Sequence, residues 1–126
     1  MKKIIHTKAA PAPIGPYSQA VQFGNLLFAS GQIAIEPATG NLITHTIESE
    51  THQVMKNINA LLNEAGMDFS HIIKTTIFLK DMSQFSQVNE IYGSYFSSNF
   101  PARETVEVAR LPKDVNVEIA VTAGKI

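Results

Sequence analysis

The apolar and polar positions of this chain change period several times between its ends, and each change predicts an element. A mixed run at 2–6 (KKIIH) reads as a short strand. Residues 7–19 carry Pro11, Pro13, Gly15 and Pro16, too many breakers for regular structure, and read as a loop. Runs at 20–23 and 26–30 flank Gly24-Asn25, the signature of a tight β-hairpin. Glu36-Pro37-Ala38-Thr39-Gly40-Asn41 marks a further turn.

From 46 to 65 the period lengthens. Ile47, Val54, Met55, Ile58, Leu61, Leu62 and Ala65 form one helical stripe, Glu48 and Glu50 suit the positive first turn, and Gly66 suits the residue past the C-cap. Residues 72–79 (IIKTTIFL) are apolar on both faces, as a central strand is. Asp81 or Ser83 then caps a second helix with Phe85, Val88, Tyr92, Tyr95 and Phe96 on one side. Two last strands follow near 104–109 and 116–123, joined by a loop around 111–114. This order predicts a single α+β domain over residues 1–126, a sheet with both helices on one face.

Side-chain parity then assigns the faces. Val117, Ile119 and Val121 share one face, matched by Val106 and Val108, and that face is expected against the helices. Glu118, Ala120 and Thr122 would face away, together with Arg103, Thr105 and Glu107. A half-polar face of this kind is expected to pack on a second copy of the chain. If the last two strands pair antiparallel, one register sets Glu107 opposite Glu118, a repulsive arrangement. The other sets Thr105 opposite Glu118 and Asn116 across from Glu107, and is preferred. It leaves Arg103 about 7 Å along the strand from that pair. A guanidinium grips a carboxylate with two parallel hydrogen bonds. A substrate held so would lay its next carbon near Glu118, which could take a proton from an attacking water. The same parity also allows Arg103 and Glu118 merely to pair with each other or with surface partners.

Composition narrows the classes. The charged share is 17% and the formal net charge −1, with basic residues scattered, so nucleic acid is not an expected partner. The low charged share favours an oligomer. No apolar run approaches the roughly 20 residues that span a bilayer, and the MKKIIHTKAAPAP start has no apolar signal core, so a cytoplasmic location is expected and no membrane partner. With no cysteine, disulfides, thiolate metal sites and cysteine nucleophiles are excluded. His6, His45, His52 and His71 show no metal spacing, and His45 and His52 are expected on a wet helix face. Ser30-Gly31-Gln32 ends a strand with no histidine suggested beside it for a triad. The Gly-rich phosphate loops GxGxxG and GxxxxGK are absent.

Four stretches together carry a family resemblance: IGPYSQAV (14–21), ASGQI (29–33), TTIFLKDMSQFSQVNEIYGSYF (75–96) and FPARETVEVARLPKDVNVEI (100–119). The chain resembles the reactive-intermediate imine deaminases, the RidA, YjgF or L-PSP family, over essentially its whole length. The resemblance implies a chorismate-mutase-like α+β fold and a homotrimer, with the sheets forming its core and one cleft at each of three interfaces. It implies hydrolysis of 2-imino acids such as 2-iminobutanoate and 2-iminopropanoate to 2-oxo acids and ammonia, without metal or cofactor. Some members instead carry labels for ribonuclease activity, translation inhibition or regulation.

By motif, Arg103 of FPAR would bind the substrate carboxylate, and Glu118 of VEI would orient or deprotonate the water. Tyr17 of GPY, with Ser30 and Gly31 of SGQ, would line the cleft from the neighbouring subunit, and Asn89 of VNEIY would hold its shape. Thr105 stands where many members have cysteine, in a role thought to use main-chain groups. Glu104 replaces a common Ser or Thr, Ala120 a frequent second Glu, and Ser97-Ser98-Asn99 is a short form of the preceding loop. Parity turns Glu104 away from Arg103.

Overall fold

A computed structural model describes all residues 1–126. Its strands are β1 (Lys2–Ile5), β2 (Ala20–Phe23), β3 (Leu26–Gln32), β4 (Ile72–Leu79), β5 (Ala102–Glu107) and β6 (Val117–Gly124). The helices are α1 (Ile47–Glu64) and α2 (Phe85–Gly93). No helix is long and apolar enough to cross a membrane.

The helix ends follow from local chemistry. Thr46 caps α1, its side chain accepting from the Ser49 amide at 3.0 Å. Gly66 takes φ 74°, and the amides of Gly66 and Met67 close back on the carbonyls of Asn63 and Leu62. That is the Schellman termination, which a Cβ at residue 66 would strain. Asp81 caps a short 3₁₀ turn, Met82–Gln84, that runs straight into α2. Gly24, at φ 60°, turns the β2–β3 hairpin.

The sheet is mixed, in the order β1-β2-β3-β6-β4-β5. Strand β6 pairs antiparallel with both β3 and β4, whereas β5 pairs parallel with β4. The expected β5–β6 antiparallel pair is therefore corrected: β4 lies between them, Thr105 is not opposite Glu118, and Asn116 is not across from Glu107. Chain geometry explains the difference. The β4–α2–β5 segment is a crossover unit that returns beside its first strand, and the remaining chain carries β6 back into the gap between β3 and β4.

Both helices cover one face. Ile77, Leu79, Val117, Ile119, Val121 and Ala123 meet Val54, Met55, Ile58, Leu62, Val88 and Tyr92 there in one buried cluster. The other face carries Ile4, Phe23, Leu26, Phe28 and Val106, all exposed. A sheet with one covered face and one apolar face in water is an incomplete burial.

The face assignment of β5 also changes. Arg103, Thr105 and Glu107 stand across from Thr75, Ile77 and Leu79, on the helix side. Glu118 stands across from Phe78, which in turn faces Val106, on the open side. Arg103 and Glu118 of one chain thus lie on opposite faces of the sheet. An edge strand only partly covered by α2 tolerates polar groups beneath the helix, so its valines do not report the core side.

Candidate functional site

The sequence-predicted residues gather into two separate half-sites. The first is built on β5 and α2. Arg103 Nη1 donates to Asn89 Oδ1 at 2.6 Å, and the guanidinium carbon lies 5.5 Å from the Phe85 ring centroid and 5.3 Å from that of Tyr92. Phe85, Asn89 and Tyr92 follow i, i+4, i+7 spacing, so one stripe of α2 grips the arginine by cation–π contact and hydrogen bonding together. Tyr92 is itself fixed, its hydroxyl donating to the buried Thr75 hydroxyl at 2.9 Å, and burial pushes its phenol pKa up. Phe100 and Pro101 complete the walls of a hollow of about 480 Å³ around Arg103. Thr105 is two residues along β5 on the same face, and its enclosed hydroxyl has no hydrogen-bond partner in the chain. One donor of Arg103 is occupied by Asn89, which leaves the remaining guanidinium edge for a carboxylate.

The second half-site is built on β3, β6 and the 7–19 loop. Glu118 lines a cleft of about 410 Å³ with Tyr17, Ser30, Gly31, Ile14, Ile33 and Pro112 among its walls. Its shape depends on a β-bulge. Ala29 pairs with Val121 and Gln32 with Ile119, so Ser30 and Gly31 together oppose Ala120 alone. The bulge brings the backbone against the Glu118 carboxyl. A Cβ on Gly31 would stand 2.1 Å from Glu118 Oε2, so only glycine leaves room for that side chain.

Most polar groups around this cleft are already engaged. Ser30 Oγ donates to the Ser18 carbonyl at 2.6 Å, and the Ser30 amide donates to the Gln19 carbonyl at 3.0 Å. Gln19, buried, donates to the carbonyls of Thr7, Ala10 and Pro11 and accepts from the Thr7 amide. It folds the proline-rich loop over the cleft. Among the lining residues Glu118 alone is charged, and burial raises its pKa above the ordinary carboxyl value.

Tyr17, Ser30, Gly31 and Glu118 therefore belong together, as do Arg103, Asn89 and Thr105, and within one chain the two groups do not meet. The roles of Phe85 and Tyr92 at Arg103 escape a reading that assigns them to the core. The signal was present, since residues 85, 89 and 92 share one face of α2. Gln19 and the bulge had no such signal. Other expectations resolve simply. His45 precedes α1, and His52 is half-buried with Nδ1 2.6 Å from the Tyr95 hydroxyl, not on a wet face. No group of three metal-ligating side chains occurs. Glu104 indeed faces away from Arg103, and pairs with Lys74 at 3.0 Å.

Comparison with known proteins agrees over the full chain. The profile of the family described as Endoribonuclease L-PSP matches residues 7–125. A RutC family protein of Pyrococcus horikoshii is 51% identical over 125 residues, covering 99% of both chains. A crystal structure of the Rid family protein YyfA from Yersinia pestis superposes with a TM-score of 0.97 at 54% identity, covering 99% of this chain and 100% of that one. A crystal structure of E. coli TdcF with bound serine gives a TM-score of 0.94 at 39% identity, covering 98% and 99%. The fold is the chorismate-mutase-like arrangement of the YjgF and L-PSP proteins.

Proposed function

This chain belongs to the RidA, YjgF or L-PSP endoribonuclease family, and we propose that it hydrolyses small 2-imino acids, such as 2-iminobutanoate and 2-iminopropanoate, to 2-oxo acids and ammonia. The observation that carries this reading is the complementarity of its two half-sites. One holds a pinned cation and no base; the other holds a carboxyl of raised pKa and no cation. Each supplies what the other lacks, so the working site joins Arg103 of one copy to Glu118 of the next. The exposed apolar sheet face supports such an assembly, a homotrimer with one cleft at each interface. The serine in the TdcF structure supports a ligand that pairs a carboxylate with a nitrogen-bearing carbon.

In this mechanism Arg103 forks the substrate carboxylate and Asn89, Phe85 and Tyr92 keep the fork still. With the imine bound as its protonated iminium, Glu118 takes a proton from water as the water oxygen bonds to the imine carbon, and the C=N π electrons move to nitrogen, which becomes a neutral amine. Glu118 then returns that proton to the nitrogen, the C–N bond breaks, and the hydroxyl proton passes to Glu118 as the carbonyl forms. Ammonia leaves and carries off the last proton. A carboxyl with a raised pKa is the stronger base for the first step. The enclosed walls of the Glu118 cleft suit an apolar substrate side chain.

Mixing inactive subunits tests the reading. Arg103→Ala and Glu118→Gln proteins are each expected to fail. Dissociated and reassembled together, they should regain roughly a quarter of wild-type turnover, because random cyclic assembly makes that share of interfaces intact. No recovery from verified mixed oligomers refutes the shared site. A protein that only senses the ligand would instead show no turnover in the wild type and unaltered binding in Glu118→Gln.

A further inference from the structure

Helix α1 carries a second stripe that its apolar periodicity conceals. Glu50, Gln53 and Asn57 are all buried, and i, i+3, i+7 spacing puts them on one flank of the helix. Buried polar groups need partners. Here most of the partners are backbone groups of the two segments that wall the Glu118 cleft. Asn57 Nδ2 donates to the carbonyls of Ile33 and Ile35, both at 3.0 Å, and both residues line the cleft. Gln53 Nε2 donates to Asn57 Oδ1 at 2.9 Å, which keeps that amide facing the two carbonyls. Glu50 accepts from the Asn116 amide at 2.7 Å, from Asn116 Nδ2 at 2.7 Å and from the Val117 amide at 3.1 Å. Asn116 and Val117 immediately precede Glu118, and Pro112, just upstream, is another wall of the cleft.

Neither segment is held by the sheet ladder alone. Gln32 is the last residue of β3 paired with β6, so Ile33 lies past that ladder, and Asn116 stands just before β6. We propose that Glu50 and Asn57 are positioning residues that set the width and dryness of the Glu118 cleft from the helix side of the sheet. Glu50 fixes where β6 begins and therefore where Glu118 emerges. Asn57 draws the Ile33–Ile35 wall against the helix. Charge alone would not do this, since the interaction is with fixed backbone directions. The inference rests on Glu118 being the base of the proposed reaction, but its geometric content can be measured without turnover.

The variants Glu50→Ala, Glu50→Gln and Asn57→Ser are read two ways: by ¹³C NMR titration of the Glu118 carboxyl, and by steady-state imine hydrolysis. Glu118 is the only charged group lining the cleft, so its titration reports wetting of the walls. Glu50→Ala and Asn57→Ser should lower its midpoint toward the ordinary 4.5 and reduce kcat about tenfold or more. KM should change by less than about threefold, because the Arg103 half is untouched. Glu50→Gln should restore both, its oxygen accepting from the two amides and its nitrogen donating to a rotated Asn116 side chain. A folded Glu50→Ala or Asn57→Ser protein with an unmoved midpoint and wild-type kcat overturns the proposal. If Glu50→Ala does not fold, Asn57→Ser decides by the same two outcomes. Wild type without turnover, yet with midpoints that move as described, would refute the deaminase reading and uphold the clamp.

Discussion

The two half-sites prepare their charged groups by opposite means. Arg103 stays exposed and is made useful by rigidity, caught between two rings and an amide. Glu118 is made useful by drying, set in an apolar cleft behind a bulge whose Gly31 position leaves no room for a Cβ beside the carboxyl. The difference follows from the charges themselves. A guanidinium is always protonated, so only its direction needs control. A carboxyl has two states, and burial is what moves the balance between them.

The comparison breaks most visibly if Arg103 is removed. Arg103→Ala should lower kcat/KM by about a hundredfold, the worth of a charge-assisted, two-point grip. Arg103→Lys should recover little, since lysine lacks the planar fork and the stacking; recovery beyond about half of wild type would show that charge alone suffices. Gly31→Ala attacks the other half by displacing the Glu118 carboxyl, and about a tenfold loss in kcat is expected with a nearly unchanged melting temperature. The sharper form pairs it with Glu118→Gln. If displacement of that carboxyl is the whole effect, the glycine substitution should cost almost nothing further in the double variant.

A smaller effect separates the halves by pH. In the proposed reaction Glu118 acts in its ionised form, and burial raises its pKa, so activity is expected to fall as pH drops through a value above 4.5. The limb should therefore lie on the neutral side of an ordinary glutamate and vanish from the residual rate of Glu118→Gln. The smallest effect is expected from Tyr92→Phe, which keeps the ring over Arg103 but strands the buried Thr75 hydroxyl. Stability should drop by about 1 kcal/mol in denaturant titration, with kcat/KM within about twofold.

Much of the fold was legible residue by residue. The stripe of α1, the Gly66 termination and the doubly apolar β4 are local patterns, and each fixed its element. Strand neighbours were not legible, because pairing depends on how the chain returns across the sheet. Consecutive strands suggested a β5–β6 hairpin, whereas the β4–α2–β5 crossover seats β5 beside β4. One wrong neighbour then misplaced Arg103, since its face was inferred by matching Val106 and Val108 to the core set. The motif residues were grouped differently: Glu118 was expected beside Arg103 with Tyr17 and Ser30 coming from a neighbour, whereas the structure sets Glu118 with Tyr17, Ser30 and Gly31 of its own chain and apart from Arg103. Glu50 teaches a related lesson. Its place in the first turn suggested a helix-dipole partner, but the side chain turns inward to bind the backbone of Asn116 and Val117.

The bulge at Ser30-Gly31 also acts as a phase shift in the pleat. Ala29 and Gln32 are three positions apart, yet both pair with residues on the helix face, which an unbroken alternation forbids. Residue count along this strand is thus as much a part of the fold as residue type. Losing either Ser30 or Gly31 would leave one residue opposite Ala120 and keep Gln32 opposite Ile119, so the ladder would become regular and the close approach of its backbone to the Glu118 carboxyl would go. Substitution can tune this segment, but shortening it by one residue would erase the bulge itself while leaving the strand's inside and outside where they are.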